Sequence, residues 1–454
     1  MPLTRREFMR TLMIGSTVLR LTGGGIATDI LLPKASAAAS DSSELLDQME
    51  RASFEFFWNE ANPYTGLVRD RSEADGGSLS RMSSIAATGF GLTALCIAHQ
   101  RNYRPRAEIT ARVRRTLHSL EHAPHVHGFL YHYVDMGDGR RFAKSELSPI
   151  DMSILLCGVL TCREYFQDAA IRRAAARIYR RVEWPWALNH GDTFALEWKP
   201  EFGFSPLRWN AYCESMMLYL LAIGSPTHPI PAECWHSVRR PKIVYGDYQF
   251  ISTPAPLFVH QYSHAWFDFR GKQDEYADYF ANSVVASQAH RQFCQDLKAK
   301  FPSYSRELWG ITASDSIKGY VAWGGPPLQG PVDGSIVPAA AAGSLPFLFS
   351  DSMMVLHNLR QRYGKQIWKR YGFVDAFNPL TGWVDHEVVG IDVGISMVMA
   401  ENARSEFVWR TFMRNPEVQV AMEKVGFGPL RTPATLYSMQ GSPAANSSSD
   451  LPKT

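Results

Sequence analysis

Ser145-Glu146-Leu147-Ser148-Pro149-Ile150-Asp151 opens a largely apolar run that continues to Phe166. Pro149 suits a first helical turn, where its missing N–H would have no intrahelical partner anyway. The run behind it is long enough for a helix of several turns. Two carboxylates therefore flank a helix start, where backbone amides and a positive partial charge are available to them. Glu146 and Asp151 can simply complement the helix dipole. They can equally be held at a rim as acid, base or sugar anchor, and the stretch alone leaves both open.

The same arrangement recurs further along the chain. Trp209-Asn210-Ala211-Tyr212-Cys213-Glu214 opens a second apolar helix, read over 209–222. Glu214 is an acid in an otherwise buried stretch, either a paired structural glutamate or a carboxyl raised toward neutral pH for acid catalysis. Gly390-Ile391-Asp392-Val393-Gly394 sets Asp392 between glycines at the start of a third helix, read over 392–403. Helical spacing also marks residues 43–59, 83–101, 106–121, 172–181, 231–238, 275–300, 350–371 and 415–425. Strand-like alternation is confined to 129–134 and 242–245. Long irregular stretches rich in Gly, Pro and aromatic residues (62–77, 189–208, 304–338) separate the helices. About a dozen helices with no internal linker predict an all-α fold of paired helices closing into a ring. Long loops would gather at one rim and carry the site. A solenoid would show a repeat period, and none is present.

The 454 residues carry 47 Lys+Arg against 44 Asp+Glu, with 45 % apolar and 12 % aromatic residues. That excludes a disordered chain and gives no basic stripe for nucleic acid. Thr4-Arg5-Arg6-Glu7-Phe8-Met9-Arg10, the apolar stretch of 11–32 and Ala35-Ser36-Ala37 read in order as a twin-arginine export signal with its cleavage site. Residues 1–37 hold five basic residues (Arg5, Arg6, Arg10, Arg20, Lys34) and two acids (Glu7, Asp29), so the remainder is formally neutral. The expected product is a periplasmic or secreted protein without stable membrane insertion. Its layout is a signal peptide over 1–37, one domain over 38–430 and a disordered tail over 431–454. It is read as a monomer. The six cysteines show neither framework nor zinc spacing and are expected as buried thiols. No G-x-S-x-G, P-loop or H-E-x-x-H occurs. His122, His125, His127 and His132 form a loose cluster, read as a solvated loop in preference to a metal site. No metal or cofactor is called for.

His260 to Gly271 alternates polar and aromatic residues and fits either a sugar cleft or a core strand. Trp309-Gly310-Ile311-Thr312-Ala313-Ser314-Asp315 has the same character. Together with Thr65-Gly66-Leu67-Val68-Arg69-Asp70-Arg71, the two helix openings at Glu146 and Glu214, Gly224-Ser225-Pro226-Thr227-His228-Pro229, Tyr371-Gly372-Phe373-Val374-Asp375-Ala376-Phe377-Asn378 and the Asp392 block, these stretches resemble the bacterial glycoamylase-like proteins of glycoside hydrolase family 144. The resemblance runs from about Leu45 to Phe427. It departs at Cys213, where the family carries a polar residue, and after Asp392, where Val393-Gly394-Ile395 replaces Gln-Gly-Pro.

The resemblance implies an (α/α)6 toroid with long rim loops and minor β hairpins. It also implies hydrolysis of a β-1,2-glucan with inversion, endo-acting or sophorose-releasing, without a cofactor. Inversion needs one carboxylic acid and one base, ~6.5–9.5 Å apart or joined through water. Glu214 is the expected acid, and Glu146, Asp151 and Asp392 are candidates for the base or its partner. Asp70, Arg71, Trp209, Tyr262, His264, Asp268, Arg270, Trp309 and Asp315 are the expected glucose-binding residues. The alternatives are a transglycosylase or phosphorylase on the same glucan, a polysaccharide lyase pairing Tyr262 with His264, and a non-catalytic glucan-binding protein.

Overall fold

Several helices among the described residues are buried all round, and their burial organises the rest. The computed structural model describes residues 35–253, 256–327 and 330–431. Helix α1 (Ala35–Asn59) is followed by α2 (Ile85–Arg101), α3 (Arg106–His122), α4 (Pro149–Tyr165), α5 (Ala169–Arg180), α6 (Met216–Ile223) and α7 (Tyr279–Asp296). Helices α8 (Pro338–Ala342), α9 (Phe349–Asn358), α10 (Gly390–Ser405), α11 (Phe407–Phe412) and α12 (Pro416–Lys424) complete the set used below. In α2 every residue from Ile85 to Ala98 is buried, in α4 every residue from Pro149 to Cys162, and in α6 all eight. A helix with no polar face must lie inside, covered by others. By contrast α5 buries Ile171, Ala174, Ala175, Ile178 and Tyr179, a single stripe at three- and four-residue spacing, and turns its arginines outward.

Packing follows from that division. Helix α2 contacts α4, α10 and α1, while α4 contacts α5 and α6. Glycines set how close the inner helices come. A Cβ on Gly158 of α4 would lie 2.0 Å from the Gly89 carbonyl oxygen of α2, so the two backbones touch there. A Cβ on Gly394 would lie 2.3 Å from the Phe90 ring, which seats α10 against α2. Between α6 and α8 the inner position is taken by two 3-10 turns, Leu257–His260 and Ser263–Ala265. Ser263 Oγ donates to the Glu214 carbonyl at 2.6 Å, and Gln261 Nε2 donates to the Ala340 carbonyl at 3.0 Å. Helix α8 in turn packs on α10.

Short antiparallel pairs decorate the end where α2, α4 and α10 begin. Strand β2 (Met82–Ser84) pairs with β3 (Tyr133–Asp135), and β1 (Arg71–Glu73) pairs with β8 (Glu387–Val389), Arg71 facing Val389. Between them in the chain come the hairpins β4 (Trp198–Lys199) with β5 (Gly203–Phe204) and β6 (Lys242–Tyr245) with β7 (Tyr248–Ile251). Ser84 and Ser148 cap α2 and α4, their hydroxyls accepting from the Ala87 and Asp151 amides. The six cysteines are free and buried.

Several sequence expectations differ in extent. Helix α6 starts at Met216 and not at 209, because the preceding backbone bonds elsewhere: Arg239 N–H to Asn210 O, and Tyr212 N–H to Arg239 O. Residues 260–271 form turns and not a strand. The helix expected over 350–371 breaks after Asn358 into a π turn at Leu359–Tyr363. Of the expected 129–134 strand, only Tyr133 and Val134 enter a ladder longer than a single bridge. The twin-arginine stretch and the tail beyond 431 lie outside the described residues, and Ala35-Ser36-Ala37 forms the start of α1. Among the described residues, no helix is long and apolar enough to cross a membrane.

Candidate active site

Acidic side chains collect where α2, α4 and α10 begin. The loop before α2 supplies Asp70 and Arg71. Arg71 Nε donates to Asp70 Oδ2 at 3.2 Å, and its Nη1 reaches Asp315 Oδ2 at 2.5 Å and Glu387 Oε2 at 3.3 Å. Burial works against the guanidinium charge, but Asp70, Asp315 and Glu387 outweigh it and hold Arg71 well above its ordinary range. One cation thus ties its neighbour Asp70 to two acids 244 and 316 residues further along the chain.

The β3 strand and the loop before α4 supply the second group. His132 Nδ1 lies 3.0 Å from Glu146 Oε1, and its Nε2 lies 3.7 Å from Asp151 Oδ1. Ser148 Oγ donates to Asp151 Oδ2. His132 is buried, not in the solvated loop expected for it, because the β2–β3 ladder carries it under the rim. The neighbouring Tyr133 ring stacks on it at 3.8 Å. Burial pushes the Tyr133 phenol well up, and Asp70, Asp151 and Glu146 add to the effect while Arg71 opposes it. Tyr133 is therefore the wall shared by the two groups.

Helices α6 and α10 close the third side. Glu214, 1 % exposed, sits just before α6, its carbonyl bonded to Ser263. Tyr262, adjacent to Ser263, donates its hydroxyl to Asp392 Oδ1 at 3.4 Å. Asp375 Oδ2 accepts the Asp315 amide at 2.8 Å. Burial, then repulsion from Asp392, Asp315 and Asp385, raises the Asp375 carboxyl well above its usual range. Burial, then Asp315, moves Asp385 up to about 6. Behind Asp375 and Asp392 lies a cavity of about 30 Å³, bounded also by Ser53, Tyr371 and Ser396. Carboxyls raised by burial and mutual repulsion, beside acids paired with Arg71, are the kind of setting that proton donation and removal in one site require.

Not every expected residue reaches this group. Trp309 is fully buried in the core, and Trp209 is 2 % exposed, its carbonyl bonded to the Tyr219 hydroxyl, so neither ring offers a face to a sugar. His264 is fully buried among Phe269, Phe280 and Phe347, with Nε2 3.0 Å from Ser283 Oγ. Burial lowers it to about 3, so it is a neutral core histidine. Tyr262 turns to Asp392 while His264 turns to Ser283, which leaves the lyase pairing unformed. Asp268 and Arg270 sit at the other end of α10: Arg270 grips Asp268 at 2.8 and 2.9 Å, bonds Glu406 at 2.7 Å and lies over Trp409. That ion pair joins loops to the C-terminal end of α10, away from the acids.

Asp375, Asp385, Glu387 and the His132 bridge carry no role in the sequence reading. None of these acids opens a helix, and the pairings that define them join separate loops, from 14 residues apart at His132–Glu146 to 316 at Arg71–Glu387. Among the described residues, Asp315, Asp375 and Asp385 form a buried trio whose carboxyl oxygens lie within 4.8 Å of one another and could ligate a cation, although Arg71 already neutralises Asp315.

With this geometry in hand, comparison with known proteins is informative. The Glycoamylase family model matches residues 206–416. An exo-β-1,2-glucooligosaccharide sophorohydrolase (non-reducing end) of Parabacteroides distasonis is 28 % identical over 424 residues, covering 84 % of this chain and 58 % of its own. This chain thus spans less than two thirds of that relative's length. An endo-β-1,2-glucanase from Chitinophaga pinensis, solved with sophorotriose and glucose, superposes with a TM-score of 0.80 at 29 % identity, over 85 % of this chain and 98 % of its own. A β-1,2-glucanase from Parabacteroides distasonis gives 0.79 at 26 %, over 85 % and 60 %. An endo-β-1,2-glucanase from Talaromyces funiculosus, at 12 % identity and a TM-score of 0.61, shares the fold. The helix-rich chain, with its acids gathered at one end, is thus similar to the glycoamylase-like proteins and to β-1,2-glucanases over most of its length.

Proposed function

We propose that the protein is a glycoside hydrolase that cleaves β-1,2-glucan by an inverting acid/base mechanism. The observation that carries the reading is the density of buried carboxyls around Tyr133 and Tyr262, in a chain otherwise similar to β-1,2-glucanases over most of its length. Glu214 protonates the leaving oxygen. A second carboxyl among Asp392, Asp151 and Glu146 takes the proton from water. His132 orients Glu146 and Asp151, and Arg71 holds Asp70 and Asp315 in place to meet glucose hydroxyls. No step of this scheme routes through a metal or cofactor.

The proposal includes the architecture and the setting. The six inner segments (α2, α4, α6, the 257–265 turns, α8 and α10) close into an (α/α)6 toroid within one domain over 38–430. The chain acts as a monomer exported through the twin-arginine signal of 1–37 to the periplasm or beyond. Incubation with a panel of linear glucans tests the reading, with product linkage and anomeric form identified by NMR. Release of α-anomeric β-1,2-oligosaccharides is expected. Action on an α-1,4-glucan alone, or phosphorolysis in place of hydrolysis, would overturn it.

A further inference from the structure

One rim hairpin carries an aromatic surface that the chemistry above does not use. The β4–β5 hairpin is bonded to the loop that presents Glu146: Leu147 N–H donates to the Trp198 carbonyl at 2.8 Å, and Trp198 N–H donates to the Leu147 carbonyl at 3.1 Å. Trp186 lies under its base, 5.5 Å from the Trp198 ring and 4.8 Å from the Phe204 ring. All three are only half-buried. At the tip Phe202 is 83 % exposed.

The tip is not slack. Arg141 clamps Glu201 through two hydrogen bonds at 2.6 and 2.9 Å, and also lies over the Tyr131 ring. Pro200 restricts the turn further. A phenyl ring held outward by an ion pair and a proline contributes nothing to the core. Exposed apolar surface beside a binding site, rimmed by polar residues, marks contact with a ligand.

We infer that this hairpin is a distal sugar platform that holds glucose units of a long glucan beyond the cleaved bond, on the Glu146 side. This rests on the glucanase reading above. An aromatic ring presents a flat apolar face, and a pyranose ring presents a flat face of C–H bonds with its hydroxyls at the edge. The uncharged rings of Trp186, Trp198, Phe202 and Phe204 suit a neutral polymer and offer no group to a polyanion. The four steps along the chain from Trp198 to Phe202 reach at most ~13 Å, so the platform begins within a few sugar rings of the acids. Contacts made only by long chains add affinity to a reaction occurring elsewhere on the same molecule.

The consequence is discrimination by chain length. In the full chain, Phe202→Ala should lower the ratio of kcat/KM on long β-1,2-glucan to kcat/KM on the shortest cleaved oligosaccharide by about threefold to tenfold, the range for loss of one aromatic contact. Phe202→Trp should restore the ratio. Retardation in a native gel containing long β-1,2-glucan should weaken in Phe202→Ala, a readout independent of turnover. A wild type that cleaves the glucan, with an unchanged ratio and unchanged retardation in Phe202→Ala, overturns the platform and leaves the glucanase reading standing. A wild type that neither cleaves nor is retarded overturns that reading and the platform with it.

Discussion

The two ends of helices α2, α4 and α10 treat charge differently. At the finishing end each helix carries an arginine, and each arginine meets acids. Arg101 bonds Glu401 at 2.9 and 3.0 Å, Arg404 bonds the fully buried Glu50 at 2.7 Å, and Arg163 holds Glu417. At the starting end Asp70, Glu146, Asp151, Asp315, Asp375, Asp385 and Asp392 crowd around Arg71 and His132. Helix dipoles favour both placements, cations at C-termini and anions at N-termini. The difference lies in the balance. At the finishing end arginines and acids pair across helices, whereas at the starting end acids outnumber cations, the setting on which the proposed chemistry draws.

If that division is correct, substitutions at the two ends separate turnover from stability. The largest effect is expected at the starting end. Glu214→Gln should lower kcat by ~10²–10⁴ while circular dichroism and thermal midpoint stay near wild type. Near-normal turnover would remove Glu214 from its role. At the finishing end, Arg404→Met leaves Glu50 buried at 0 % exposure without its 2.7 Å partner. Removing a hydrogen-bond partner from a buried carboxyl costs ~1–3 kcal/mol, read by denaturant unfolding, and turnover below the melting range should persist. A folded Arg404→Met protein with collapsed kcat would show that the finishing end also serves catalysis.

The pH dependence of stability sharpens the same comparison. Burial, then the charge of Glu401, lifts Glu50 from 4.5 to about 8, and burial lifts Asp385 from 3.8 to about 6. Both folded values lie above the unfolded ones, so the fold favours the protonated form. The stability each contributes is complete below the unfolded value and is lost as pH rises through the folded one. Thermal midpoints measured from pH 4 to 9 should therefore flatten between about pH 4.5 and 8 in Glu50→Gln, and only between about pH 4 and 6 in Asp385→Asn. Identical windows in the two variants would break the assignment of separate ends.

Legibility in the sequence follows the range of the interaction. Helices α2 and α4 are plain because burial on all sides leaves an unbroken apolar run. Glu146, Asp151 and Asp392 are legible because they stand at helix openings, a local feature. Asp375 and Asp385 are not, since their surroundings are assembled from Asp315, Asp392 and Glu387 in other loops. His264, Trp209 and Trp309 mislead for the opposite reason. Their local pattern is that of a sugar cleft, and only packing reveals that their faces are covered. Asp268 and Arg270 satisfy each other, and nothing local says at which end of α10 they do so.

The smallest effect discriminates among the candidate bases. Ser148 Oγ accepts the Asp151 amide at 3.2 Å and donates to the Asp151 carboxylate. Ser148→Ala removes the helix cap, for about 1 kcal/mol of stability. It also removes a hydrogen bond that favours the charged carboxylate, so the Asp151 pKa must rise. If Asp151 takes the proton from water, the acid limb of the kcat/KM profile moves to higher pH along with it. That shift is the expected result. A profile that stays put while the thermal midpoint falls would place Asp151 with the arginines of the finishing end, as a charge that serves its helix, and leave Asp392 or Glu146 to activate water.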